Sequence, residues 1–111
     1  MEILNYTDVE AEGRLRWLIR GPNFDMRLVE IEPLQGLSEM LHTHPWEHEI
    51  FIVEGEGATW DGEKKQSLSR GDSVYIQAGE PYNFINEGEK TLRFICCIPA
   101  GVGLNQIKSV T

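Results

Sequence analysis

The chain is 111 residues long, 41% hydrophobic and 25% charged, and its 18 acidic residues against 10 lysines and arginines leave a net charge of −8. That length suits one domain, and the mixture is rich enough to bury a core and too varied for disorder. An acidic chain repels phosphate backbones and anionic lipid surfaces, so no nucleic-acid or membrane partner is expected. The opening MEILNYTDVEAEG lacks a basic stretch leading into an apolar one. No apolar run approaches the roughly 20 residues of a spanning helix, which places the chain in the cytoplasm by expectation.

Short β-branched or aromatic runs are broken at short intervals by Gly, Pro, Asn or Asp, the pattern of an all-β sandwich or barrel, and helical periodicity is nearly absent. The predicted strands are 14–20, 24–31, 38–42, 48–54, 58–61, 65–69, 73–76, 82–85 and 92–98, with 104–110 as a possible tenth. Gly21-Pro22-Asn23, Asp61-Gly62, Gly71-Asp72 and Asn86-Glu87-Gly88 supply the positive or preset φ that a reversing chain needs. Gly55-Glu56-Gly57 reads as a bulge or tight corner, since a Gly-x-Gly with no helix after it is not a nucleotide fingerprint. Residues 1–111 are read as one domain. Cys96 and Cys97 are neighbours in an apolar run and read as two reduced strand cysteines. Alternation through that run turns Leu92, Phe94, Cys96 and Ile98 inward, and Arg93, Ile95 and Cys97 outward.

All three histidines fall within the string His42-Thr43-His44-Pro45-Trp46-Glu47-His48. On an extended strand His42 and His44 share a face, and Pro45-Trp46 lets the chain turn so that His48 returns opposite them. Neutral imidazole is the commonest metal ligand, and three of them leave open positions for water or substrate. Against this stands the reading that they are surface or core histidines gathered by chance. Met40 with His42, and Phe84 with Tyr82, are expected to line the same cavity. Trp46 and Trp60 suit either the barrel rim, an oligomer face or the core.

These residues resemble the cupin superfamily. Its first motif spaces a glycine, a His-x-His, a glutamate and a second glycine as Gly36, His42, His44 and Gly55 are spaced here, and its second motif is matched by Gly71, Gly79 and Asn86. Motif one spans 36–55 and motif two 71–86. The resemblance implies a double-stranded β-helix, or jelly-roll, barrel. HTHPWEHEIF is also similar to a subgroup of small manganese-type cupins in which a third histidine replaces the usual acidic ligand.

Two departures matter. The motif-one glutamate position falls on His48 or on Glu49 according to the count, and adjacent strand residues face opposite sides, so only one reaches the interior. His48 is favoured because Ile50 and Ile52 follow it on one face. The motif-two histidine position holds Tyr82 and the motif-two proline position Gln77. Tyr82 either ligates, or stands off and hydrogen-bonds what the metal binds, or marks a site that has lost metal.

The resemblance thus implies one divalent transition metal, Mn, Fe, Ni or Zn, held by His42, His44 and His48, with Mn suggested by the subgroup. It implies a dioxygenase, isomerase or lyase acting on a small, anionic or oxygen-rich molecule, with Tyr82 as acid or base, and a homodimer. A non-catalytic metal- or metabolite-binding module and a degenerate barrel without metal stand as alternatives.

Overall fold

The computed structural model describes residues 1–37 and 40–102. Among these, eight strands form: β1 Leu15–Arg20, β2 Phe24–Ile31, β3 His48–Glu54, β4 Glu56–Trp60, β5 Lys65–Ser69, β6 Ser73–Ile76, β7 Asn83–Asn86 and β8 Leu92–Pro99. They make two antiparallel sheets, a larger one ordered β1-β2-β8-β3-β6 and a smaller one ordered β5-β4-β7. The two sheets close on one another as a jelly-roll barrel. A 3₁₀ turn at Tyr6–Asp8, capped by the Asn5 side chain, precedes them and was not expected from the sequence.

Alternation decides which face is buried. In β8 the residues Leu92, Phe94, Cys96 and Ile98 are buried while those between them are half-buried, as the sequence predicts. In β3, His48, Ile50 and Ile52 point inward and Glu49, Phe51 and Val53 are exposed. Phe84 of the small sheet meets Phe94 of the large one with ring centroids 4.7 Å apart, which pins the two layers together at the core. On the solvent side of the large sheet, Glu30 accepts from Arg16 at 2.7 Å and from Arg93 at 2.8 Å, and Arg93 also reaches Glu54 at 2.9 Å. That network joins four neighbouring strands.

The chain leaves one sheet for the other at Gly55, where the pairing of β3 with β8 has already slipped between Ile52 and Glu54. Gly55 holds φ at +94, and a Cβ there would stand 2.7 Å from the Thr91 carbonyl oxygen. Only glycine fits both demands, so the expected corner is real. Asn86 is a purely structural member of motif two: its Nδ2 donates to the carbonyls of Ile31 at 2.7 Å and Lys90 at 2.8 Å, and its Oδ1 accepts from Gly88 at 2.9 Å.

The strand expected at 38–42 is not found in its described part. Met40 lies in a bend and His42 makes an isolated bridge, while 38–39 lie outside the described residues. The possible strand at 104–110 also lies outside them.

Candidate metal centre

The two motif segments are fastened by backbone hydrogen bonds. His42 and Tyr82 form a reciprocal bridge, His42 N–H to Tyr82 at 2.8 Å and Tyr82 N–H to His42 at 2.9 Å, and the Gly79 N–H donates to the His44 carbonyl at 2.7 Å. The His-x-His stretch is therefore held by its neighbour rather than by a continuous strand of its own. Pro45 and Trp46 carry the chain into β3, where His48 pairs in register with Ile76 and points into the barrel.

His42, His44, His48 and Tyr82 line one cavity of about 220 Å³, each at most 9% exposed. The ring centroids of His44 and His48 are 5.3 Å apart, those of His42 and His44 6.1 Å, and those of His48 and Tyr82 5.1 Å. Tyr82 OH lies 3.4 Å from His48 Nε2. Trp46 is buried and stacks on His44 at 4.5 Å with the planes 7° apart, which fixes that imidazole's orientation. Trp46 thus belongs to the site, whereas Trp60 is exposed at the end of β4. Glu49, the other candidate at the motif-one acid position, is exposed and faces away from the cavity.

Electrostatics keep the cluster uncharged. Burial, with the charges of His42 and Arg27 added to it, holds His44 down to about 4. Burial again leads at His48, reinforced by His44, Arg27 and His42, and takes it down to about 3. Burial lowers His42 as well and raises the Tyr82 phenol well above its ordinary value. At neutral pH the site is therefore three neutral imidazoles and a protonated phenol. His42 Nε2, His44 Nδ1 and His48 Nδ1 are buried with no hydrogen-bond partner.

These orphaned nitrogens on neutral rings fit a divalent ion in donor type. The placement is looser. Among the described residues no group of three or more His, Cys, Asp or Glu side chains is gathered onto a single ion position.

A family model for the cupin domain matches residues 27–98. The chain belongs to this family. Its cupin barrel is similar to the polyketide cyclase RemF from Streptomyces resistomycificus, with a TM-score of 0.83 and 26% identity, covering 100% of this chain and 86% of that one. It is 33% identical over 63 residues to the uncharacterized protein MJ1618 of Methanocaldococcus jannaschii, covering 56% of this chain and 50% of that protein. It is 32% identical over 75 residues to a mannose-1-phosphate guanylyltransferase of Salmonella montevideo, covering 68% of this chain and 16% of that enzyme. The cupin therefore spans half or less of the length of these curated relatives.

The lining of the cupin cavity differs from the sequence expectation at two residues. Met40 is 38% exposed and is not among the cavity's lining residues, because the alternation argument needed a straight strand where the chain bends. Arg27 does line the cavity and was not singled out. It shares the parity of Val29 and Ile31 on β2, and that was the available signal. Cys96 lines the cavity while its neighbour Cys97 faces away, and both are free thiols.

Proposed function

We propose that this barrel is a metal-dependent small-molecule enzyme in which His42, His44 and His48 hold one divalent transition ion. The observation that carries the reading is the meeting of three buried, neutral imidazoles and a buried phenol on one cavity. Neutral imidazole is the ligating form, so the site does not have to shed protons to take up an ion at neutral pH. The donor type suits several transition metals, and the likeness of HTHPWEH to manganese-type cupins makes Mn the first to test, before Fe, Ni and Zn. When bound, the ion would supply Lewis-acid polarisation of a ligand oxygen.

The chain's own residues supply the remaining functions. Tyr82 is held protonated by burial, so its hydroxyl acts as a hydrogen-bond or proton donor toward an oxygen in the cavity, an acid before it is a base. Val29, Ile50, Phe84 and Phe94 form apolar walls that exclude water and strengthen each polar contact inside. The likeness to a polyketide cyclase supports the reading of an enzyme acting on a small organic molecule. Elemental analysis of protein purified without chelators, followed by metal-by-metal turnover screens of small oxyacids, tests the reading. One equivalent of metal, lost on replacing His42 and His44 by alanine, is expected; a reconstituted protein with no stoichiometric ion overturns it.

A non-catalytic binding barrel has one observation in its favour, the loose placement of the imidazoles. Calorimetric capture of a metabolite with no product by mass spectrometry would establish that reading instead.

A further inference from the structure

The cavity holds a cation whose chemistry the three histidines do not use. Arg27 sits on the inward face of β2 between Trp17 of β1 and Cys96 of β8, and is only 8% exposed. Its Nη2 donates to Cys96 Sγ at 3.4 Å, its Cζ lies 5.3 Å from the Trp17 ring centroid, and its Nε is buried with no acceptor. The other inter-strand arginines are treated differently: Arg16 and Arg93 both reach the Glu30 carboxylate. Among the described residues no carboxylate forms an ion pair with Arg27. Asp25, next on the same face, accepts from the Gly101 N–H at 3.1 Å. Burial keeps the Cys96 thiol in its neutral form, so the sulfur is a weak acceptor rather than a counter-ion.

A buried guanidinium with no ion-pair partner among the described residues is a charge that is costly unless something compensates it. Glu12 is a carboxylate on the cavity lining, but it is exposed and forms no ion pair with Arg27, so an anion entering the cavity is the group suited to compensate the guanidinium. A guanidinium presents parallel N–H donors to two coplanar oxygens, which is the shape of a carboxylate. Beyond the three histidines, Tyr82, Glu12 and Arg14 the lining is largely apolar, and about 220 Å³ is below the roughly 300–1,000 Å³ typical of sites for drug-sized ligands.

We propose that Arg27 is the anion anchor of the site and that the ligand is a small organic carboxylate, its oxygens against the guanidinium and its apolar body along Val29, Phe84 and Phe94. As a statement of substrate class this rests on the enzyme reading above, but the anchoring itself requires no metal. Calorimetry with benzoate and benzamide, a charged and a neutral ligand of the same shape, tests it on the protein as purified and after chelation. Benzoate is expected to bind at least tenfold more tightly than benzamide in both forms. Arg27→Met should bring the two within about twofold, and Arg27→Lys should keep part of the preference. Equal binding of the pair by the wild type, or by default no binding of either, overturns the proposal, as does a preference that survives in a folded Arg27→Met protein. A stronger preference for phenyl phosphate than for benzoate overturns the carboxylate assignment. Should Arg27→Met not fold, the wild-type ratio and Arg27→Lys decide. A benzoate preference in a protein that takes up no metal sinks the enzyme reading and leaves the anchor standing; metal uptake without that preference does the reverse.

Discussion

The Tyr82 hydroxyl lies 3.4 Å from Nε2 of His48, inside the barrel. The phenol therefore meets the imidazole cluster through a hydrogen bond, and burial keeps its proton on. Replacing Tyr82 by phenylalanine removes one buried hydrogen bond, worth about 1 kcal/mol of stability by urea unfolding. The metal content measured by elemental analysis should not change, because a neutral phenol is a poor ligand. Turnover, once a substrate is in hand, should fall roughly 10²–10⁴-fold, the usual contribution of a positioned proton donor. Loss of the metal in Tyr82→Phe would instead make Tyr82 a ligand.

His48 and Glu49 are neighbours on β3 with opposite fates, one 1% exposed and the other on the solvent side. His48→Ala should abolish stoichiometric metal binding and open a small cavity in the barrel. Glu49→Ala should leave metal content intact and change stability by no more than about 0.5 kcal/mol, as surface substitutions do. A reversed pattern would mean that β3 is registered one residue away from its pairing with Ile76 and Tyr75.

That contrast also shows how far the sequence can be read. Strict alternation through His48, Ile50 and Ile52 and through Leu92, Phe94, Cys96 and Ile98 gave the correct inward faces, because a strand's period of two is imposed by backbone geometry. Met40 was misplaced because the same rule was carried across a bend. The stacking of Trp46 on His44 could not be foreseen, since it depends on how the chain turns at Pro45, and no local periodicity encodes that. Arg27 was legible in principle: Asp25, Arg27, Val29 and Ile31 share one parity. Buried arginines are rare, so parity alone is a weak signal for one. The proposed ligand roles of the three histidines rest on donor chemistry rather than on pattern or packing.

The corner at Gly55 makes a prediction about stability. Gly55→Ala has to hold φ at +94 and also place a Cβ 2.7 Å from the Thr91 carbonyl oxygen and 2.9 Å from the Leu92 Cα. The conformation alone costs about 1–2 kcal/mol, and the backbone clash adds to it, so unfolding in urea should show a loss of at least about 2 kcal/mol. Gly71→Ala is the control, with a comparable φ of +96 but open space around the new methyl group. It should cost the conformational part alone, about 1–2 kcal/mol. Equal losses at both positions would mean that β3 and β4 can separate at the corner to admit a side chain.

Acid should destabilise the metal-free protein earlier than its carboxylates would. His44 and His48 are held at about 4 and about 3, against an ordinary value of 6.5. Above pH 6.5 both are neutral whether the chain is folded or not, and stability does not change on their account. As pH falls below 6.5 the unfolded chain takes up protons that the folded barrel refuses, so stability drops until the folded-state values are reached. Each histidine then removes about 1.4 kcal/mol per pH unit, and two of them give a loss on the order of 3 kcal/mol between about pH 7.5 and 5.5. The stabilising contribution is thus complete above the unfolded value and lost on the acid side, the reverse of a histidine that gains a carboxylate partner. Urea unfolding of chelator-treated protein across that window measures the slope, and His48→Gln should roughly halve it. A flat profile between pH 7.5 and 5.5 would show that the imidazoles can take up protons within the folded barrel, and with that the neutral, ligating state assigned to them would fall.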